Sequence, residues 1–190
     1  MINAEFMLDL ETMDTERDAA VTSIGACVFD PFNSTSTPDD LRKDSYFCTV
    51  SLEDNVRLGR TMSPSTVVWW MQQADGARLA MLQNNRSLLE AISGLRRWIQ
   101  ERPQRLTGVW AKGPSFDCVI IKSAFKSVRE MWPMKYWEEN CVRTIERSGF
   151  PNYDDKPQWR IGDHHNALDD AITQALMVQR CYKNMEQSHT

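Results

Sequence analysis

Phe6-Met7-Leu8-Asp9-Leu10-Glu11-Thr12 is the stretch whose reading decides the fold. Phe6, Leu8 and Leu10 alternate with Met7, Asp9 and Glu11, the period of a β-strand. Residues two apart on a strand share a face, so Asp9 and Glu11 project side by side, opposite an apolar layer. Two carboxylates held that close repel each other and resist desolvation. A shared proton or a divalent cation relieves them; a solvent-exposed strand end is the plainer alternative.

The surrounding chain has the composition of an ordinary folded domain. Its 190 residues are 42% hydrophobic and 25% charged, enough for one sizeable core, and residues 1–190 read as a single domain. No run approaches membrane-span length, and no signal-peptide layout opens the chain. Five scattered cysteines, none in a C-x-x-C pair, argue for reduced thiols, a cytoplasmic setting and no structural zinc site. A net charge of −4 carries no overall basic signature for nucleic acid. That sign weighs little for a carboxylate site that loads cations.

Downstream of the first strand, Val21 to Phe29 predicts a second strand and Tyr46 to Leu52 a third. The Ser/Thr/Pro-rich residues 33 to 45 between them predict an exposed excursion. Three strands joined by loops imply an antiparallel meander. Helical spacing begins at Ser63-Pro64-Ser65, and a short helix is expected from Asp75 to Leu82. A further helix opens on the capping box of Ser87 and Glu90 and ends by Pro103. Val109-Trp110-Ala111 predicts a short strand followed by a helix from Ser115, and Cys141-Val142-Arg143 a last short strand. Asn152 to Asp163 reads as a loop, and Asn166 opens the final helix. A mixed α/β sheet of five to six strands with helices on both faces follows.

Several downstream groups could meet the Asp9/Glu11 pair. Asp117 falls in the first turn of the helix after Val109-Trp110-Ala111, at the carboxyl end of a strand, where α/β sheets place ligands. It could equally complement the helix dipole. Asp169 and Asp170 share the first turn of the last helix. Asn166 and Asp169 stand three apart, which assigns Asp169 to a capping pair and leaves Asp170 as the metal candidate. Trp69 and Trp70 are adjacent, so on a helix they point about 100° apart; one should pack inside and the other lie near the cleft.

These blocks in this order resemble the DEDDh family of 3′–5′ exonucleases, which have the RNase H-like fold. The resemblance rests on Asp9-Leu10-Glu11-Thr12, on Trp110-Ala111-Lys112-Gly113-Pro114-Ser115-Phe116-Asp117, and on His165-Asn166-Ala167-Leu168-Asp169-Asp170. His164 with Asp169 has the same spacing as His165 with Asp170, but Asn166-Ala167-Leu168 matches the family's filling of the His165 pair. Ser65-Thr66-Val67-Val68-Trp69-Trp70 and Val142-Arg143-Thr144 are similar to the phage-type subgroup, and the likeness runs from about residue 5 to 183.

The resemblance implies two divalent ions, Mg²⁺ or Mn²⁺, about 3.5–4 Å apart and clamping the attacking and leaving oxygens of a phosphodiester. Asp9 would bridge both, Glu11 and Asp170 would hold the nucleophile-side ion, and Asp117 would order the other. His165 would be the general base, on a loop expected to be mobile without substrate. Thr12, Trp70, Phe116 and Arg143 are the candidate substrate contacts, Arg143 toward a phosphate or a site carboxylate. Single-stranded or 3′-overhang DNA or RNA is the expected partner and a mononucleotide the product. Tryptophan-rich helices are compatible with a homodimer, and no residue reads a 2′-hydroxyl. Two other classes compete. Asp9-Leu10-Glu11-Thr12 is one methylene from the D-x-D-x-T of haloacid-dehalogenase-type phosphatases, which need parallel βα units. A non-catalytic nucleic-acid-binding RNase H-like domain would be favoured only if a ligand carboxylate were missing.

Overall fold

The alternating stretch forms β1 (Glu5–Thr12), the central strand of a five-stranded sheet. The computed structural model describes residues 4–81, 83, 85–152 and 158–188. β1 pairs antiparallel with β2 (Val21–Phe29), which pairs antiparallel with β3 (Ser45–Thr49). On its other side β1 runs parallel to β4 (Val109–Ala111), and β4 runs parallel to β5 (Glu139–Cys141). The order is β3-β2-β1-β4-β5. The antiparallel first three strands exclude the parallel units that a haloacid-dehalogenase fold requires.

The two faces of β1 enter different cores, as a period of two dictates. Phe6, Leu8 and Leu10 pack with α5 (Leu88–Gln100) and α6 (Asp117–Ser127). Met7 packs on the opposite face with α8 (Ala167–Gln187). Asp9 and Glu11 therefore point toward the start of α8. Asp9 pairs with Gly25 across the β1–β2 ladder, and there the sheet admits the helix unusually closely. A Cβ on Gly25 would lie 2.1 Å from the Ala167 carbonyl carbon, so only glycine lets the helix backbone rest on the sheet. Just past Glu11 the β1–β2 register slips, and the buried Asn55 side chain bonds the Val21 backbone N–H and carbonyl at 3.0 and 2.9 Å.

Several local expectations change. The excursion at residues 33–45 contains α1 (Pro38–Lys43), opened by a capping box of Thr37 and Asp40. The third strand stops at Thr49, because Ser51 caps α2 (Leu52–Arg57). α3 (Pro64–Met71) starts at the Ser63 cap as expected. α4 is Asp75–Ala80, and Leu82 lies outside the described residues, as do residues 153–157 of the predicted 152–163 loop. The helix after β4 begins at Asp117 rather than Ser115. Cys141 ends β5, and Val142 and Arg143 open α7 (Val142–Gly149) instead of continuing a strand. Among the described residues no helix is long and apolar enough to cross a membrane.

Candidate active site

Asp9, Glu11 and Asp170 offer carboxylate oxygens that all lie within 4.8 Å of one another. Strand β1 supplies the first two, and the first turn of α8, seated at Gly25, supplies the third. Asp117 comes from α6, across the end of β4. β4 stops at Ala111, so it no longer pairs the Leu10 N–H, which faces that side of β1. Asp117 takes its place, its Oδ1 accepting from Leu10 N at 3.2 Å. The fourth carboxylate is thus tied to the backbone between Asp9 and Glu11. Gln174, one turn beyond Asp170 on α8, donates from Nε2 to Asp9 Oδ1 at 2.7 Å.

Crowding and burial set the electrostatics. Glu11 is 8% exposed and Asp117 5%. Burial, with Asp170 and Asp117 adding repulsion, pushes the Glu11 carboxyl up to about 8. Burial drives Asp9 well above the carboxylate range, and Asp117, Glu11 and Asp170 drive it further. Asp117 rises to about 7 through burial, opposed by the Leu10 hydrogen bond and the Arg143 charge. Buried carboxylates that repel each other and present hard oxygens to one point are a donor set suited to a hard divalent cation.

The two candidate histidines both reach this cluster. His164, His165 and Asp170 also place potential ligand atoms within 4.8 Å of one another, and the two imidazoles stack at 3.6 Å. His165 sits at φ +64, its N–H donating to Asp170 Oδ2 at 3.3 Å. α3 gives this loop an apolar anchor. The His165 ring lies edge-on to Trp69 at 4.8 Å and to Trp70 at 5.8 Å. Burial and the neighbouring His164 lower the His165 pKa from 6.5.

Asp169 turns the other way, and its role differs from the capping pair expected. The Asn166 side chain accepts from Leu168 N and Asp169 N, but the Asp169 carboxylate does not reach back to Asn166. It accepts from Arg42 Nη2 at 2.6 Å and from Asp163 N at 2.9 Å. Gly162, at φ +62, passes so close that a Cβ would overlap the Asp169 carboxylate. Asp169 therefore fixes the approach to the histidines, while Asp170 faces the cluster.

The candidate substrate contacts divide. Glu11, Thr12, Trp69, Trp70 and Phe116 border one cavity of about 380 Å³. Trp70, proposed from the sequence as a substrate contact, is only 3% exposed and spends its indole N–H on the Thr12 carbonyl at 2.9 Å. Trp69 is the exposed neighbour, at 41%. The Thr12 hydroxyl donates to the Asp14 carbonyl, so Thr12 and Trp70 form a fixed wall, and Trp69 and Phe116 present the apolar surface. The Arg143 guanidinium covers Gly113, where a Cβ would lie 2.6 Å from Nη1, and its charge acts on Asp117. Sequence reasoning missed Gln174 and Arg160, whose Nη1 donates to Asp170 Oδ1 at 2.9 Å. The i, i+4 spacing of Asp170 and Gln174 was the available signal for the former; nothing local marks Arg160.

Comparison with known proteins converges on one family. The model of the Rv2179c-like 3′–5′ exoribonuclease domain matches residues 4–182. The exodeoxyribonuclease of Enterobacteria phage T4 is 25% identical over 159 residues, covering 74% of this chain and 69% of that protein. The nuclease domain of 3′hExo, a DEDDh family member solved with rAMP, superposes with a TM-score of 0.61 at 12% identity, over 96% of this chain and 93% of that one. Cell-death related nuclease 4 (CRN-4) superposes with a TM-score of 0.62 at 15% identity, and this chain, 96% covered, spans 64% of its length. With its sheet order, its four carboxylates and a family match over nearly its whole length, the chain belongs to the Rv2179c-like 3′–5′ exoribonuclease domain family, and it shares the fold of the 3′hExo nuclease domain.

Proposed function

We propose that this 3′–5′ exonuclease, acting as one catalytic domain over residues 1–190, releases nucleoside 5′-monophosphates from the 3′ ends of single-stranded or 3′-overhanging RNA or DNA. The observation that carries the reading is the convergence of Asp9, Glu11 and Asp170 within 4.8 Å, with Asp117 tethered to the strand between them. Two divalent ions, Mg²⁺ or Mn²⁺, held by these four carboxylates would stabilise the charge developing on the attacking and leaving oxygens.

The chain's own residues do the rest. Water attacks the scissile phosphorus, the bond to the 3′ oxygen of the penultimate nucleotide breaks, and that oxygen takes up a proton. His165 accepts the proton of the attacking water as a neutral imidazole, a role its lowered pKa favours. Trp69 and Trp70 hold its ring in place, and its backbone N–H is bonded to Asp170. The cavity beside Glu11, about 380 Å³, accepts the terminal nucleoside, with Trp69 and Phe116 against its base or sugar. Gln174 fixes one oxygen of Asp9, and the other would be available to the ions. Arg143 lies close enough to orient Asp117.

The test is a product ladder from 5′-labelled RNA and DNA oligomers, single-stranded and with 3′ overhangs, with Mg²⁺ or Mn²⁺. Stepwise shortening with mononucleotide release is expected, and the two ladders rank the sugars directly. Full activity in excess EDTA would rule out the two-metal mechanism.

A further inference from the structure

Glu11 and Asp170 border different cavities. Glu11 faces the Trp69–Phe116 pocket. Asp170 faces a separate cavity of about 270 Å³, lined also by Lys112, Trp159, Arg160, His164 and Gln174. The two share no wall residue, so the carboxylate cluster parts the apolar surface of Trp69 and Phe116 from a chamber whose walls are mostly polar. A chamber of that size and polarity holds several water molecules. His164, His165 and Asp170 place potential ligand atoms within 4.8 Å of one another, so the candidate base lies beside the chamber wall.

Among the described residues, four buried side-chain nitrogen or oxygen atoms lack a hydrogen-bond partner. Two of them, Gln174 Oε1 and Trp159 Nε1, belong to residues that line this one chamber. Buried polar atoms without a protein partner are where ordered water is found. Gln174 is 8% exposed, and its Nε2 donates to Asp9 Oδ1 at 2.7 Å. An ionised carboxylate only accepts, so the amide turns its N–H toward Asp9 and its Oε1 away. The same amide therefore fixes Asp9 and offers an acceptor beside the cluster. The chamber's lysine and arginine are engaged elsewhere: Lys112 pairs with Glu146 at 3.4 Å and Arg160 with Asp170 at 2.9 Å, and neither bonds Oε1.

We propose that this chamber supplies the attacking water and that Gln174 selects water over an alcohol as the nucleophile. The assignment rests on the exonuclease reading, in which Asp170 and His165 stand on the attacking side of the phosphorus. The departing 3′ oxygen leaves opposite them, toward Asp117. A water molecule carries two O–H groups. One gives its proton to His165, the other donates to Gln174 Oε1, and a lone pair is left facing the phosphorus. An alcohol has a single O–H, which the base consumes. Its carbon then falls against Oε1 and leaves that buried acceptor unpaired, a penalty that water does not meet. The alcohol reaction otherwise balances in the same way. The alcohol oxygen bonds to phosphorus, the bond to the 3′ oxygen breaks, His165 takes the alcohol proton and the 3′ oxygen is protonated. Its product is an alkyl ester of the nucleoside 5′-monophosphate.

The experiment compares the parent with Gln174→Met, which keeps the length of the side chain and removes both polar atoms. Each protein digests short single-stranded RNA and DNA with Mg²⁺ or Mn²⁺ in water containing methanol, and mass spectrometry reads the released products. The ratio of 5′-monophosphate methyl ester to free monophosphate should rise roughly three- to tenfold in Gln174→Met. Turnover should fall as well, because Asp9 loses a hydrogen bond, but a purely structural loss slows both nucleophiles alike and leaves the ratio unchanged. Trp159→Phe, which removes the other unpaired atom and keeps an aromatic ring, should give the parent's ratio. In parent crystals grown in EDTA, a water should lie within hydrogen-bond distance of Gln174 Oε1, and Gln174→Met crystals should lack it. A dry Oε1, or one bonded to Lys112, overturns the proposal, and the parent crystals decide this even if the variant does not fold. A Gln174→Met ratio equal to the parent's, zero included, overturns it too, as does an equal rise in Trp159→Phe. If the parent shortens the strands and such a result appears, selection by Gln174 alone fails; if the parent releases neither product, the exonuclease reading fails first.

Discussion

In metal-free buffer near pH 7.5, replacing Glu11 by Gln should make this protein more stable. Burial and the neighbouring carboxylates push the Glu11 carboxyl from 4.5 up to about 8. The folded chain therefore keeps a proton that the unfolded chain releases. Stability is full below pH about 4.5, falls as pH rises through the interval to about 8, and is then level. At pH 7.5 about three pH units of that interval have been crossed, an upper bound of about 4 kcal/mol at 1.36 kcal/mol per unit. Partial relaxation of the cluster leaves roughly 2–4 kcal/mol for the neutral amide to recover. At 2–4 °C per kcal/mol for a chain of this size, Tm should rise by roughly 4–16 °C. At pH 5 the same arithmetic leaves under about 1 kcal/mol. Added Mg²⁺ or Mn²⁺ should close most of the gap, because about 2.7 kcal/mol of linkage at a hundredfold excess over Kd goes to the wild type. Differential scanning fluorimetry across pH 5–8.5, with EDTA or cation, reads all of this. Identical Tm values for both proteins at pH 8 in EDTA, or a difference that ignores pH, would refute the strained cluster.

Other consequences are as direct. His165→Ala should lower kcat by roughly 10²–10⁴ and abolish an acidic limb whose midpoint lies below 6.5, since burial disfavours the imidazolium. His164→Ala, which removes a neighbour that lowers that pKa, should keep the limb and move it upward; pH–rate profiles of both variants check this. Asp169→Ala strands the Asp163 N–H and the Arg42 guanidinium, costing roughly 1–3 kcal/mol in urea unfolding. Because those bonds fix the histidine loop, kcat should fall as well; a variant with wild-type kcat contradicts that positioning role. Gly25→Ala drives a methyl group into the Ala167 backbone, and about 1 Å of helix displacement should cost roughly 10²-fold in kcat/KM with the same four carboxylates present.

What the sequence makes legible here is periodic or local. The alternation of Phe6 to Glu11 places β1 and its carboxylate face, and Ser63, Ser87 and Asn166 mark three helix starts because capping is a short-range hydrogen bond. Thr37-Pro38-Asp39-Asp40 carries an equally readable capping box inside the stretch expected to be an exposed excursion. Compositional bias hid it: Ser, Thr, Pro and Asp open helices as readily as they fill turns. The split between Trp69 and Trp70 follows from helical geometry, but which one faces inward depends on the Thr12 carbonyl, 58 residues upstream of Trp70. Arg160 on Asp170 and Arg42 on Asp169 likewise join segments with no shared period. Asp117 was found by its place after a strand; its bond to Leu10 N depends on β4 ending early, which no residue announces.

The contact at Gly25 has a consequence for how this site tolerates change. The spacing between the strand carboxylates and Asp170 is not set by side chains that can adjust; it is gauged by main chain resting on main chain, where a methyl group would be a shim. Repacking around α8 can therefore drift without retuning the metal geometry, as long as that one position stays bare. The distance between the strand carboxylates and the first turn of α8 is held by an absence.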